Sequence, residues 1–154
     1  MLDVTNESDF KKLLGTRKIH NVLAEHVFEH LSTDDISKAA ENLFKFTSDK
    51  SNIRIAVPDG FHKSNTYIDQ VRPGGIGIGA NDHKNLFDYK SLSEIFNNHG
   101  FKSNLIEYWD EEGNFHSYYI DDDKGFIKRC YKNDPRNRDG NPNYTSLIID
   151  FYKG

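Results

Sequence analysis

The sequence predicts an α/β fold built on one mostly parallel sheet. Two apolar runs of strand length, "IHNVLAEHV" (19–27) and "NIRIAVPDG" (52–60), flank an amphipathic helical segment. A long stretch rich in Gly, Asn, Asp and His follows, and the chain then closes with helix, hairpin and strand signals. Strand, helix, strand is the order of a parallel pair, and such crossovers are right-handed almost without exception. Glu25-His26 and Pro58-Asp59 therefore end neighbouring strands on the same edge, the edge where open α/β sheets take ligands.

The elements follow in order. "SDFKKLLG" reads as a short helix with Ser8 as N-cap and Gly15 as stop. The run 19–27 is apolar enough for a strand buried on both faces. Ser32 or Thr33 caps the next helix, Asp34 and Asp35 sit in its first turn, and Ile36, Ala39, Ala40, Leu43 and Phe44 recur at helical spacing. Pro58 and Gly60 end the second strand. From Phe61 to Leu86 no period is visible, so 61–86 reads as a lid-like loop. Ser91 with Glu94 suggests a capping box and Gly100 a helix stop. "FKSNLIEYWDEEGNFHSYYI" turns as a hairpin at Glu112-Gly113-Asn114, residues 121–143 form a polar loop, and "YTSLIIDFY" (144–152) is a last strand.

Composition limits the function classes. At 154 residues the chain has the length of a single domain, 1–154. A net charge of −4 argues against a nucleic-acid partner. No apolar run approaches the roughly 20 residues of a membrane span, and the N-terminus lacks the pattern of a signal peptide. One cysteine, Cys130, precludes an internal disulfide and fits a reducing, cytoplasmic setting.

"VLAEHVFEHLSTDD", followed by "NLFKF" and "NIRIAVPDG", resembles the second half of a class I S-adenosylmethionine-dependent methyltransferase. A "DDHK"-like loop at 81–84, "EYWDEEGNFH" and the closing "YTSLIIDF" are similar to one bacterial group of predicted methyltransferases of that class. The resemblance implies a truncated Rossmann-like sheet with an antiparallel C-terminal hairpin and strand, S-adenosylmethionine as cofactor, and a small-molecule or saccharide acceptor. It places Asp3 near the adenine and Glu25 and His26 at the methionine and ribose. In that family a glycine-rich loop and a ribose acid precede the "AEHVFEHL" strand. Only about 18 residues precede it here, too few for two strands and a helix, so the resemblance covers a C-terminal half. The alternative is a catalytically silent remnant or a binding subunit completed by a partner chain.

Individual residues carry the chemistry. His83, oriented by Asp82, is the candidate general base, because imidazole titrates near neutrality. Asp59, Gly75 and Gly77 belong to the acceptor and lid region. The string Gly75-Ile76-Gly77-Ile78-Gly79 looks like a nucleotide cradle, but no strand leads into it and no helix follows, so it reads as lid glycines that permit positive φ and close approach. "HVFEH" (26–30) matches H-x-x-E-H. It spans a strand end and the start of a new helix, with no third ligand evident, and no metal is assigned. Lys128, Arg129, Lys132, Arg136 and Arg138 give the 121–143 loop cations for an anionic group, diluted by Asp134 and Asp139. The strand 19–27 lacks a neighbour on one side, and an open edge is a template for association. Either Met1–Asn6 folds onto it or a second copy pairs there as a homodimer.

Overall fold

A computed structural model describes residues 1–154. Five strands form one sheet in the order β1-β2-β5-β3-β4. They are β1 (Ile19–Glu25), β2 (Thr47–Pro58), β3 (Phe101–Trp109), β4 (Phe115–Ser117) and β5 (Ser146–Lys153). β1 pairs parallel with β2, and β5 pairs antiparallel with both β2 and β3. β4 closes the hairpin on β3. β1, β2 and β3 thus run one way and β5 and β4 the other, the Rossmann-like arrangement with an antiparallel C-terminal hairpin and strand that the sequence predicts. No helix is long and apolar enough to cross a membrane.

The helices are α1 (Glu7–Leu14), α2 (Thr33–Phe46), α3 (Asn65–Val71) and α4 (Tyr89–Asn97). Asn6 caps α1 by accepting from the Ser8 amide at 2.9 Å, so Ser8 is the second helical residue rather than the cap. Ser32 caps α2 as expected. The capping box of α4 is Asp88 with Ser91, three residues earlier than the Ser91–Glu94 pair, because Tyr89 and Lys90 already have helical backbone. α3 lies inside the stretch read as a loop. Ser64 caps it, and Tyr67 and Val71 form its buried face one turn apart. A seven-residue helix offers too few turns for its period to stand out.

Alternation along the strands divides the sheet into two unlike faces. Ile53, Ile55 and Val57 of β2 and Leu147, Ile149 and Phe151 of β5 meet Phe10 of α1, the apolar stripe of α2, and Leu92 and Phe96 of α4. Phe10 stacks on Phe46 and Phe96 on Phe151, with ring centroids 5.1 and 4.2 Å apart. Helices cover this face fully. The opposite face carries Ala56, Ile106 and Ile148, covered by Tyr119, Ile127 and Cys130 from irregular chain.

That irregular cover is fastened by buried polar groups. Arg54, 2% exposed, donates to both oxygens of Asp150 at 2.8 and 2.9 Å. It also donates to Asp122 and to the Gly125 carbonyl. Glu107 accepts from the Tyr131 amide and the Ser117 hydroxyl. Asn137 donates to the Cys130, Tyr131 and Tyr144 carbonyls. Side chains thereby satisfy backbone groups that no ladder reaches.

β1 differs from its prediction as a strand buried on both faces. It is the outer strand of the sheet; Ala24 alone is buried and Leu23 is 46% exposed. The open side is the one its missing neighbour implies; an apolar run cannot by itself show how far a strand's faces will be covered. Met1–Asn6 does not cover that edge either: it forms no strand and lies beside α2, where Asn42 donates to the Val4 carbonyl at 3.0 Å.

Arg54→Met leaves Asp150 buried without its counter-charge, which costs about 3–5 kcal/mol when one partner of a buried pair is removed. Urea unfolding of the variant is expected to show a lower midpoint, and limited proteolysis to cut first between residues 119 and 130.

Candidate functional site

The carboxyl ends of β1 and β2 share one edge, and the His26 amide bonds the Ala56 carbonyl at 2.8 Å across them. His26 leaves β1 with φ of 55°, the single non-glycine residue at positive φ. That conformation costs of order 1–3 kcal/mol and collects at functional sites. It swings the chain into a 3-10 turn, Phe28–His30, that drives Phe28 and Glu29 inward. A cleft of about 610 Å³ opens there, lined among others by His26, Glu29, His30, Gly77, His83 and Arg129.

Glu29 is the focus of the cleft. Its carboxylate is fully buried, and neither oxygen has a hydrogen-bond partner. Three imidazoles surround its Oε1: His26 Nδ1 at 3.2 Å, His30 Nε2 at 3.8 Å and His83 Nε2 at 4.0 Å. The Lys84 and Asn85 amides donate to the Glu29 carbonyl, and Asn85 Nδ2 to Leu31, which stitches the end of the 61–86 stretch to the 3-10 turn. The His30 and His83 rings meet edge-on at 4.7 Å.

His83 lines the cleft, with its side chain 8% exposed, but Asp82 does not orient it. Asp82 is 73% exposed and reaches His30 Nδ1 at 3.1 Å. His83 Nδ1 lies 2.6 Å from the Val71 carbonyl, which only accepts, so Nδ1 carries a proton and Nε2 is the nitrogen turned toward Glu29. Consecutive residues at a 3-10 terminus point in different directions, and each therefore finds its own partner.

The cofactor residues divide. His26 lines the cleft, with Nε2 2.9 Å from Ser146 Oγ. Glu25 turns to the other side, where its oxygens accept the Lys128 and Arg129 amides at 3.2 and 2.7 Å. Asp3 accepts from Thr5 within its own turn. Both Glu25 oxygens are thus taken by the 121–143 loop, whereas Asp3, exposed, uses only Oδ1 in its own turn and lies outside the cleft lining.

Asp59 is a structural anchor. Fully buried, it accepts from the Trp109 amide at 2.8 Å and the Phe61 amide at 2.9 Å. Burial pushes its carboxyl up to about 7, against those two amides, and burial likewise pushes Glu107 up to about 7. Its own amide donates to Tyr67 Oη, which donates in turn to the Thr145 carbonyl, tying β2, α3 and the start of β5 together.

Gly75 and Gly77 owe their place to close approach alone, since positive φ falls on Gly74 and Gly79 instead. A Cβ on Gly77 would stand 2.5 Å from the Gln70 carbonyl oxygen, and one on Gly75 2.6 Å from that of Asp69. The Ile76 and Gly77 amides donate to those same two carbonyls. The glycine string therefore closes the end of α3, with the Gly75, Ile76 and Gly77 amides used there, and holds the exposed Ile76 and Ile78 at the mouth of the cleft.

A second hollow of about 540 Å³ adjoins the first and shares Gln70, Arg136 and Tyr144 with it. His62 stacks on Tyr67 at 3.9 Å there, and Lys63 lies over Trp109. Burial lowers His62 to about 4, which keeps it neutral. Arg136 is held by Asp134 and stacks on Tyr144, while the Arg129 guanidinium makes no side-chain pairing. Sequence reading missed Glu29 as the centre of the site and the hollow around His62. A buried acid between two histidines in "HVFEH" was the available signal; the hollow had none.

No protein-family profile and no curated protein matches the chain. Solved structures do. A candidate O-methyltransferase from Nostoc punctiforme superposes with a TM-score of 0.52 at 11% identity, covering 89% of this chain and 32% of that one. A SAM-dependent methyltransferase from Archaeoglobus fulgidus superposes with a TM-score of 0.53 at 16% identity, covering 97% of this chain and 64% of that one. The chain thus has a methyltransferase-like fold and spans less than two thirds of the length of either structure.

Two outcomes are expected. Gly77→Ala, with a Cβ pressed onto a backbone oxygen, loosens the 71–83 segment, read as faster amide exchange at Ile76 to Asp82. Glu107 is held above its ordinary value, so the folded state binds more protons than the unfolded between about pH 4 and 7. Its contribution to stability is present below that window and falls as pH rises through it; Glu107→Gln is expected to flatten this part of a urea-midpoint profile.

Proposed function

We propose that this chain serves S-adenosylmethionine-dependent methyl transfer to a small-molecule or saccharide acceptor, and that its own residues supply the acceptor side of the site. The observation that carries this reading is the cleft at the shared end of β1 and β2, on a methyltransferase-like sheet, with imidazole nitrogens facing inward under the 71–83 segment. The cofactor, when bound, supplies an electrophilic methyl group. The acceptor hydroxyl lies between the two hollows; Arg129, Lys63 and the Asn141 and Asn143 amides suit an oxygen-rich or anionic molecule. His83 Nε2, its lone pair fixed by the Nδ1 bond to Val71, accepts the hydroxyl proton.

A second reading is favoured by the internal satisfaction of Glu25. In it the chain is a binding subunit, and a partner chain supplies the cofactor half along the open edge of β1, where Leu23 and Val27 are exposed. Release of S-adenosylhomocysteine with a panel of hydroxylated acceptors tests the first reading. Turnover that falls about 100-fold or more in His83→Gln is expected from loss of a general base. Absence of turnover, together with a silent calorimetric titration with S-adenosylmethionine, transfers the conclusion to the second.

A further inference from the structure

We propose that Glu29, His30 and His83 form a binding site for a first-row divalent transition-metal ion, with one carboxylate oxygen and two imidazole Nε2 atoms as protein ligands. The donor atoms of these three side chains all lie within 4.8 Å of one another. An ion with bonds of about 2.0–2.2 Å to such donors needs them roughly 3–3.5 Å apart. The His30 and His83 Nε2 atoms lie 3.8 and 4.0 Å from Glu29 Oε1, so both carboxylate–imidazole distances are within about an ångström of that spacing.

The outer contacts of both rings point the same way. His30 places Nδ1 against the Asp82 carboxylate and His83 places Nδ1 against the Val71 carbonyl. Each partner accepts, so each ring carries a proton on Nδ1 and turns Nε2, the nitrogen left for a metal, toward Glu29. A carboxylate or carbonyl behind the far nitrogen is how metal-binding histidines are oriented. Glu29 gives the independent observation. It is a fully buried carboxylate whose oxygens accept no hydrogen bond and whose nearest group is His26 Nδ1 at 3.2 Å; a buried charge so placed costs several kcal/mol unless a cation pairs with it. A cation between the rings would be that partner.

Two nitrogens and one carboxylate oxygen suit zinc, manganese, iron, cobalt or nickel better than calcium or copper(I). The remaining positions face the cleft beside Arg129, so they take water or an oxygen atom of a hydroxylated or anionic ligand. The H-x-x-E-H string does not act as a two-histidine helical pair. Residues 28–30 make a single 3-10 turn, His26 Nε2 bonds Ser146, and the third ligand comes from His83, over 50 residues along the chain. The site stands on donor geometry alone. With an ion bound, His83 Nε2 is a ligand and not a proton acceptor, and the metal titration separates these roles whether or not methyl transfer is observed.

The experiment uses chelator-stripped chain titrated with Zn²⁺ by calorimetry and with Co²⁺ by visible absorption. One equivalent of each and a ligand-field band are expected. His30→Ala, at a partly exposed ring, abolishes the band while the circular dichroism is retained. Asp82→Asn, at an exposed side chain, weakens affinity about 10- to 100-fold by releasing the His30 tautomer. His20→Ala, at an exposed histidine outside the cluster, leaves binding unchanged. No saturable uptake by the wild-type chain, or uptake by His30→Ala and Asp82→Asn as tight as by wild type, would overturn the proposal.

Discussion

Arg54 sits at the middle of the sheet with its guanidinium enclosed by Asp150, Asp122 and the Gly125 carbonyl, and one whole face of the molecule depends on that enclosure. The helical face is secured by apolar area, with aromatic rings stacked between strands and helices. The other face has six buried apolar residues in its cluster and irregular chain as its cover. Chain of that kind carries amides and carbonyls that must be paired when buried. Arg54, Glu107, Glu25 and Asn137 pair them, so the cover is fixed by directional contacts.

This arrangement reaches the cleft directly. The Arg129 amide is held by Glu25 at the end of β1, and Asn137 joins the loop to Tyr144. The two cleft residues Arg129 and Tyr144 are therefore placed by the same polar fastenings that close the second face. On the other wall, the glycine string packs its backbone on the end of α3, and the Lys84 and Asn85 amides bond the Glu29 carbonyl. The cleft is a meeting point of three segments, each held from outside it, around a carboxylate that no hydrogen bond reaches. Stability elsewhere in the fold offsets the positive φ of His26 and the orphaned Glu29.

Much of the fold was legible where the physics is local. Ser32 capping α2, the 3.6-residue recurrence from Ile36 to Leu43 and the turn at Gly113 follow from interactions a few residues apart. So does the shared edge of Glu25-His26 and Pro58-Asp59, once the crossover is right-handed. α3 escaped notice because its period is shorter than two full turns of evidence, and the α4 cap shifted because Asp88 and Ser91 compete for one role. β1 was legible as a strand with one side open but not as one whose faces stay largely uncovered, since burial is decided by which distant segments pack on it.

The sequence by itself determined the α/β class and the shared edge on which the tips of β1 and β2 lie. Only the tertiary structure decided that Glu29 is the centre of the cleft, that Asp82 serves His30, that Glu25 holds the Lys128 and Arg129 amides, and that Asp59 is a buried anchor. The physical reason is separation along the chain. Local periodicity and capping fix the direction of a strand or helix, whereas the partner of a side chain is fixed by the packing of segments that lie far apart. His83 and Glu29 meet only because the end of α3, the glycine string and the 3-10 turn all close on one another.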